Sequence, residues 1–156
     1  MTHENTTPAD PSATEVIFMI PGEPKGKGRP RFARVGNYVK TYTPEATAVY
    51  ENLIKICYQK EHGPRFAREK QLKLSVWIYM KIPESASEKK KRQMMAGEIR
   101  PTKRPDADNV LKAILDGLND VAYHDDAQIV DVDVHRYYSI TPHCVVVIAE
   151  AGGPIW

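Results

Sequence analysis

LKLSVWIYMKI, residues 72–82, places an apolar side chain at every second position: Leu72, Leu74, Val76, Ile78, Met80 and Ile82. Alternation at period two puts all six on one face of an extended chain, so the stretch predicts a strand with one side turned to a core. Such a strand needs a layer to cover it, and the flanking sequence offers helices. Thr43-Pro44-Glu45 has the form of a helix start, with threonine as N-cap, proline at the first helical position and an acid in the first turn. Ala46, Val49, Tyr50, Leu53, Ile54 and Cys57 then recur at helical spacing until Gly63-Pro64. Further upstream, EVIFMI (15–20) predicts a strand stopped by Pro21-Gly22, and the glycine-, proline- and base-rich stretch 21–43 predicts a loop or irregular hairpin.

Downstream, Ser85 and Glu88 have the spacing of a capping box ahead of a short basic helix ending near Ala96. A second helix is predicted from Asn109 to near Asn119, with Val110, Leu111, Ile114, Leu115 and Leu118 on one side. Two strands, near Ile129–Tyr138 and His143–Ala149, close the chain. The order β, basic loop, α, β, α, α, β, β predicts an α+β fold: a single domain over residues 15–151, with a mixed sheet and helices packed mainly on one face. Residues 1–14 are polar and contain nothing to bury, which predicts a disordered tail.

The chain of 156 residues is long enough for one domain with a core. Cys57 and Cys144 lie in apolar, periodic surroundings and read as buried thiols, not as a disulfide framework or zinc site. There is no apolar run of membrane-spanning length and no signal-peptide pattern, so the expected location is the cytoplasm, with no membrane partner.

A net charge of +2 conceals strong patterning. Lys25, Lys27, Arg29, Arg31, Arg34 and Lys40 crowd residues 25–40 with no acid among them. A second basic stretch holds Lys89, Lys90, Lys91, Arg92, Arg100, Lys103 and Arg104 against Glu88 and Glu98. Directly after it come eight aspartates between Pro105 and Asp133, with Lys112 the one lysine or arginine among them. Two basic segments bracketing an acidic cluster suit an anionic substrate held over bound metal.

Asp106 and Asp108 are separated by one residue just before the helix that starts at Asn109; an extended piece there would point both carboxylates the same way, and Asp108 is a natural N-cap. At roughly 100° per residue, Asp108, Lys112 and Asp116 form a polar stripe beside the apolar arc. Asp125-Asp126 follows in a loop. Bringing it beside Asp106 and Asp108 would assemble three or four carboxylates, which need a cation or raised pKa values. Short oxygen donors without a cysteine or histidine constellation favour Mg²⁺. Each piece alone has a plainer reading. Asp-x-Asp occurs in caps and turns, Asp125-Asp126 suits a turn, and Lys112 could form an i,i+4 pair with Asp108. Asp131 and Asp133 read as the solvated side of a strand, and Asp116 and Asp120 as helix-surface acids.

Taken together, PDADNVLKAILDGLNDVAYHDDAQIVDVDV (105–134) resembles the core motif of the RusA family of Holliday-junction resolvases of bacteria and prophages. The matched positions are Asp106, Asp108, Asn109, Lys112, Asp116, Leu118, Asp125, Asp126, Gln128 and Ile129, with Gly117 where alanine is commoner. GKGRPRF (26–32) and YTPEATAVYE (42–51) extend the resemblance over most of residues 16–150. It implies a homodimeric endonuclease that cuts four-way DNA junctions with Mg²⁺, or Mn²⁺ as a substitute. The essential acids fall on Asp106, Asp108 and Asp126, with Asp125 as a neighbouring metal ligand, and the essential lysine on Lys112. The basic side chains Lys25, Lys27, Arg29, Arg31, Lys89, Lys90, Lys91, Arg92, Lys103 and Arg104 would contact DNA phosphates. Two rival readings are a catalytically silent junction-binding protein and a different Mg²⁺ phosphohydrolase. The haloacid-dehalogenase type places its Asp-x-Asp after a hydrophobic strand, whereas Lys103-Arg104-Pro105 precedes it here.

Overall fold

The computed structural model describes residues 14–153, so nearly all of the expected tail lies outside the described residues. Strand β1 (Glu15–Pro21) is followed by a hairpin of β2 (Arg31–Val35) and β3 (Tyr38–Tyr42), then helix α1 (Glu45–Lys60) and strand β4 (Leu72–Lys81). Helices α2 (Glu88–Met95) and α3 (Ala107–Leu118) come next, and β5 (Ile129–Ser139) and β6 (His143–Glu150) end the fold. The main sheet runs β1-β6-β4-β5. β4 lies between antiparallel β6 and parallel β5, so the alternating stretch is an interior strand of a mixed sheet. A parallel neighbour requires a crossover, and α2 and α3 provide it.

Leu72, Leu74, Val76 and Ile78 are fully buried, as the alternation requires. Beside them on the same face lie Val16, Phe18 and Ile20 of β1, with Cys144, Val146 and Ile148 of β6. Tyr50, Ile54 and Tyr58 of α1 and Val110, Ala113, Ile114 and Leu118 of α3 complete this core. α1 and α3 thus cover one face. α2 meets β5, and Gly97 beyond its end lies against the Tyr137 ring.

Helix starts are where the sequence reading shifts. Pro44, not Thr43, takes the cap position of α1, because the Pro44 carbonyl accepts the first helical bond from the Ala48 N–H. Ser87, not Ser85, caps α2 by accepting from the Lys90 N–H. Asp106 takes the cap position of α3, which moves Asp108 into the first turn. On α1, Val49 is exposed and Thr47 buried, since the Thr47 hydroxyl accepts the Gly28 N–H at 3.0 Å. Cys144 is buried and Cys57 half-buried, and both are free thiols. Among the described residues no helix is long and apolar enough to cross a membrane.

Candidate active site

The amphipathic face of α3 holds it down on α1 and the sheet, and its polar edge carries the candidate residues. Gly117 sits where α3 crosses Ile54 of α1; an added Cβ would lie 3.0 Å from the Ile54 Cβ. Lys55 of α1 reaches the end of α3 and donates to the Gly117 and Asn119 carbonyls at 2.6 and 3.3 Å. It neutralises carbonyls that α3 has no basic residue of its own to meet. At the other end, Arg136 of β5 donates to the carbonyls of Lys103 and Pro105, fixing the approach to Asp106.

Asp106 has extended backbone angles and makes no capping bond with its side chain, while Asp108 lies within the helix. The extended Asp-x-Asp geometry that would align the two carboxylates therefore stops at Ala107. Both acids are exposed at the start of α3, where the helix dipole favours negative charge. Among the described residues neither carboxylate has a hydrogen-bond or ion-pair partner.

Lys112 points down the stripe instead of back along it. Its Nζ lies 3.2 Å from Asp116 Oδ1 and 3.8 Å from Asp126 Oδ2, so the Asp108–Lys112 pair is replaced by a bridge from α3 to the Asp125-Asp126 turn. That turn is tightly built. Asp125 caps a short 3-10 turn, accepting from the Ala127 N–H at 2.9 Å. Gln128 Oε1 accepts from the His124 and Asp125 N–H groups, while its Nε2 donates to the carbonyls of Ala67 and Lys70. The Tyr123 hydroxyl donates to the Leu115 carbonyl and ties the turn to α3.

The two adjacent aspartates interact and separate in acidity. The Ala127 N–H, then the neighbouring Asp126, holds Asp125 below the ordinary carboxylate range. Burial, then the neighbouring Asp125 and nearby negative charge, raises Asp126 against the opposing pull of Lys112.

Lys27 is placed differently from its sequence neighbours. Its Nζ lies 2.5 Å from Glu51 Oε1 and 2.9 Å from Asp116 Oδ2, with all three side chains about one-fifth exposed. Its backbone N–H donates to the Asn109 carbonyl at 3.0 Å, and Gly26 packs so closely that a Cβ would lie 3.1 Å from the Asn109 Cβ. Lys27 therefore ties the basic loop to α1 and α3, and Asp116 passes the tie to Lys112. Burial would lower the Lys27 pKa and raise that of Asp116; ion pairing overrides both, so Lys27 is raised and Asp116 lowered. Lys25, Arg29, Arg31, Lys89, Lys90, Arg92, Lys103 and Arg104 are exposed, and Lys91 is half-buried, 3.7 Å from Glu88. Lys27, Glu51, Gln128 and Arg136 had positioning roles that the sequence reading missed. Only Gln128 left a local signal, three residues after a capping aspartate.

Among the described residues no three acidic, histidine or cysteine side chains converge closely enough to hold a metal ion. The expected cage of three or four carboxylates is not formed; like charges repel, and the cation drawn among these acids is Lys112. The donors present still suit magnesium in type, because that ion is commonly held by one or two carboxylates, with water and phosphate oxygens filling its shell. Asp106, Asp108 and Asp126 are the side chains that would supply them.

The chain thus combines a mixed sheet, an aspartate-bearing helix on one face, a lysine bridge from that helix to the Asp125-Asp126 turn, and exposed basic flanks. Residues 21–149 match the family of endodeoxyribonuclease RusA, and the chain belongs to that family. It is also 33% identical over 137 residues to the Bacillus subtilis (strain 168) protein described as uncharacterized protein YqaN, covering 86% of this chain and 96% of that one.

Proposed function

We propose that the protein is a Mg²⁺-dependent, structure-selective endonuclease that resolves four-way DNA junctions by paired incisions, acting in recombination and repair. The observation that carries the reading is the Lys112 bridge to Asp126, made from the same helix that carries Asp106 and Asp108 at its start, in a chain of the RusA family. Asp106, Asp108 and Asp126 would hold the ion, with Asp125 at its margin. When bound, magnesium supplies activation of a water and neutralisation of charge on the leaving oxygen. Lys112 donates to a phosphate oxygen and offsets charge developing there. Gln128 and Arg136 keep the turn and the helix start in place. The exposed basic side chains hold the DNA arms by their phosphates and read no bases. Four-way junctions present two strands for symmetric cutting, which suits a two-fold homodimer with two sites.

The test is incubation with labelled four-way junction and linear duplex, in Mg²⁺ and in EDTA. Paired nicks in opposed strands of the junction, dependent on the metal, are expected. Full activity in EDTA or equal cutting of duplex would overturn the proposal. Tight junction binding without cleavage would favour the catalytically silent alternative.

A further inference from the structure

The hairpin β2–β3 pairs with no strand of the main sheet and stands as a two-stranded ribbon. Its strands join through a turn at Gly36-Asn37, where Gly36 has φ +61°. Two-stranded hairpins are marginal in water unless another surface supports them. This one nevertheless exposes Phe32 at 72%, Tyr38 at 75% and Val39 at 67%. Between Glu23 and Glu45 the chain holds six basic residues and no acid. The register separates two surfaces. Phe32 and Arg34 share one with Thr41 and Val39; Arg31 and Val35 share the other with Tyr42, Lys40 and Tyr38.

We propose that the hairpin is a wedge for unstacked bases at the branch point of the junction, with Phe32 and Tyr38 stacking on bases and Arg31, Arg34 and Lys40 holding the adjoining phosphates. This inference rests on the junction-nuclease reading above. An occupant must present both flat apolar faces and negative charge. Duplex arms offer the charge but keep their base faces stacked. Pairing with the hairpin of a second copy would oppose like charges. Nucleic acid with exposed bases meets both requirements, because every base has a face on which an aromatic ring can stack.

The position of the hairpin supports the assignment. Its entry is fastened beside the acids by the Lys27 N–H bond to Asn109 and the packing of Gly26 on Pro105 and Asn109. Gly28 is held between Pro44 and Thr47, so the entry and exit of the ribbon are anchored together. Strands of five residues extend roughly 17 Å at about 3.3 Å per residue. That reach is about five nucleotide steps along one DNA strand. Bases stacked on the ribbon would therefore lie within a few steps of a phosphate held at Asp106 and Asp108.

The experiment uses the full chain in EDTA with junctions carrying 2-aminopurine either at the branch point or within an arm. Wild type should change branch-point emission and leave arm emission unaltered. Phe32→Leu retains apolar bulk but removes the ring, and Tyr38→Ala removes the second ring. Each should abolish much of the emission change and weaken junction binding by roughly 5- to 100-fold, the loss of one stacked base. Affinity for linear duplex should stay within about twofold, since phosphate contacts supply it. Phe32→Trp should restore both signals, which a purely packing role would not require. Wild-type emission change and affinity in Phe32→Leu and Tyr38→Ala would overturn the wedge. So would a switch from dimer to monomer in these variants with branch-point emission unchanged, which would assign the hairpin to a second copy. A wild-type protein that neither prefers nor cleaves junctions would instead remove the nuclease reading beneath it.

Discussion

Asp108 and Lys112 are one turn apart on α3, yet they make different contacts and should fail differently. Asp108 lies in the first turn of α3 with no side-chain partner among the described residues, so Asp108→Asn should cost no more than the helix-dipole term, about 0.3–1 kcal/mol, and leave the fold intact. It removes a carboxylate from the acidic site, and single-turnover cleavage should fall by orders of magnitude. Metal-free junction affinity should hold or rise, because one less negative charge faces the phosphates. Lys112→Ala should also cripple cleavage, with affinity level or slightly lower. Wild-type cleavage by either folded variant would remove that residue from the site. Lys27 makes the contrasting case. Sequence position alone groups it with Arg29 as a DNA contact, but its ammonium is held by Glu51 and Asp116. Lys27→Met should therefore destabilise the fold by about 1–3 kcal/mol, between exposed and buried ion pairs. Thermal melting across pH checks the assignment with a definite sign. Asp116 has a folded pKa below its ordinary value of 3.8, so its stabilisation is present above that value and lost as pH falls through the lower one. Lys27 is raised above 10.5, so its share is present below that value and lost as pH rises through the higher one. The gap between wild type and Asp116→Asn should be flat near neutrality and close on strong acidification. A gap independent of pH would show that the pair contributes nothing through charge.

At the scale of elements, the contact between α1 and α3 sets the edge on which the candidate residues sit. Gly117→Ala, in the last turn of α3, gains helix propensity of at most about 1 kcal/mol, the figure for a helix interior. Its new Cβ, however, meets the Cβ and Cγ2 of fully buried Ile54 at 3.0 Å, and a branched Cβ cannot rotate away. The helices must separate, so the variant should melt lower than wild type despite its better propensity. A higher midpoint would show that the contact yields easily. The same elements show why parts of the fold were legible in sequence. β4 alternates because one side is fully buried in the core and the other only partly covered, and α3 has an unbroken apolar arc. Caps were less legible, because Thr43-Pro44 and Ser85–Glu88 satisfy local rules that neighbouring residues satisfy better in three dimensions. The partners of Lys27 were invisible for a different reason. Glu51 and Asp116 lie 24 and 89 residues further along the chain, and no local period links such positions.

For the whole molecule, the decisive quantity is the number of cuts made per encounter. Under the proposed function, one chain supplies a single Lys112 bridge and one set of Asp106, Asp108 and Asp126, hence one site for one phosphate. Two opposed incisions then call for two chains related by a two-fold axis. A supercoiled plasmid that extrudes a cruciform exposes this coupling, because the first nick releases the torsion maintaining the junction. Linear product forms only if the second cut follows before the complex separates. Mixing wild type with equal Asp108→Asn protein should place about half of randomly paired dimers in the mixed state. Those dimers retain both DNA-binding surfaces and one active site, so they should yield nicked circles while linear product falls relative to total cutting. Chains acting alone would give a different result: Asp108→Asn would compete for junctions without changing the ratio of linear to nicked product. Measuring that ratio against the mixing fraction separates the two arrangements. A ratio independent of the inactive chain would count against the two-fold dimer while leaving the chemistry at each site intact.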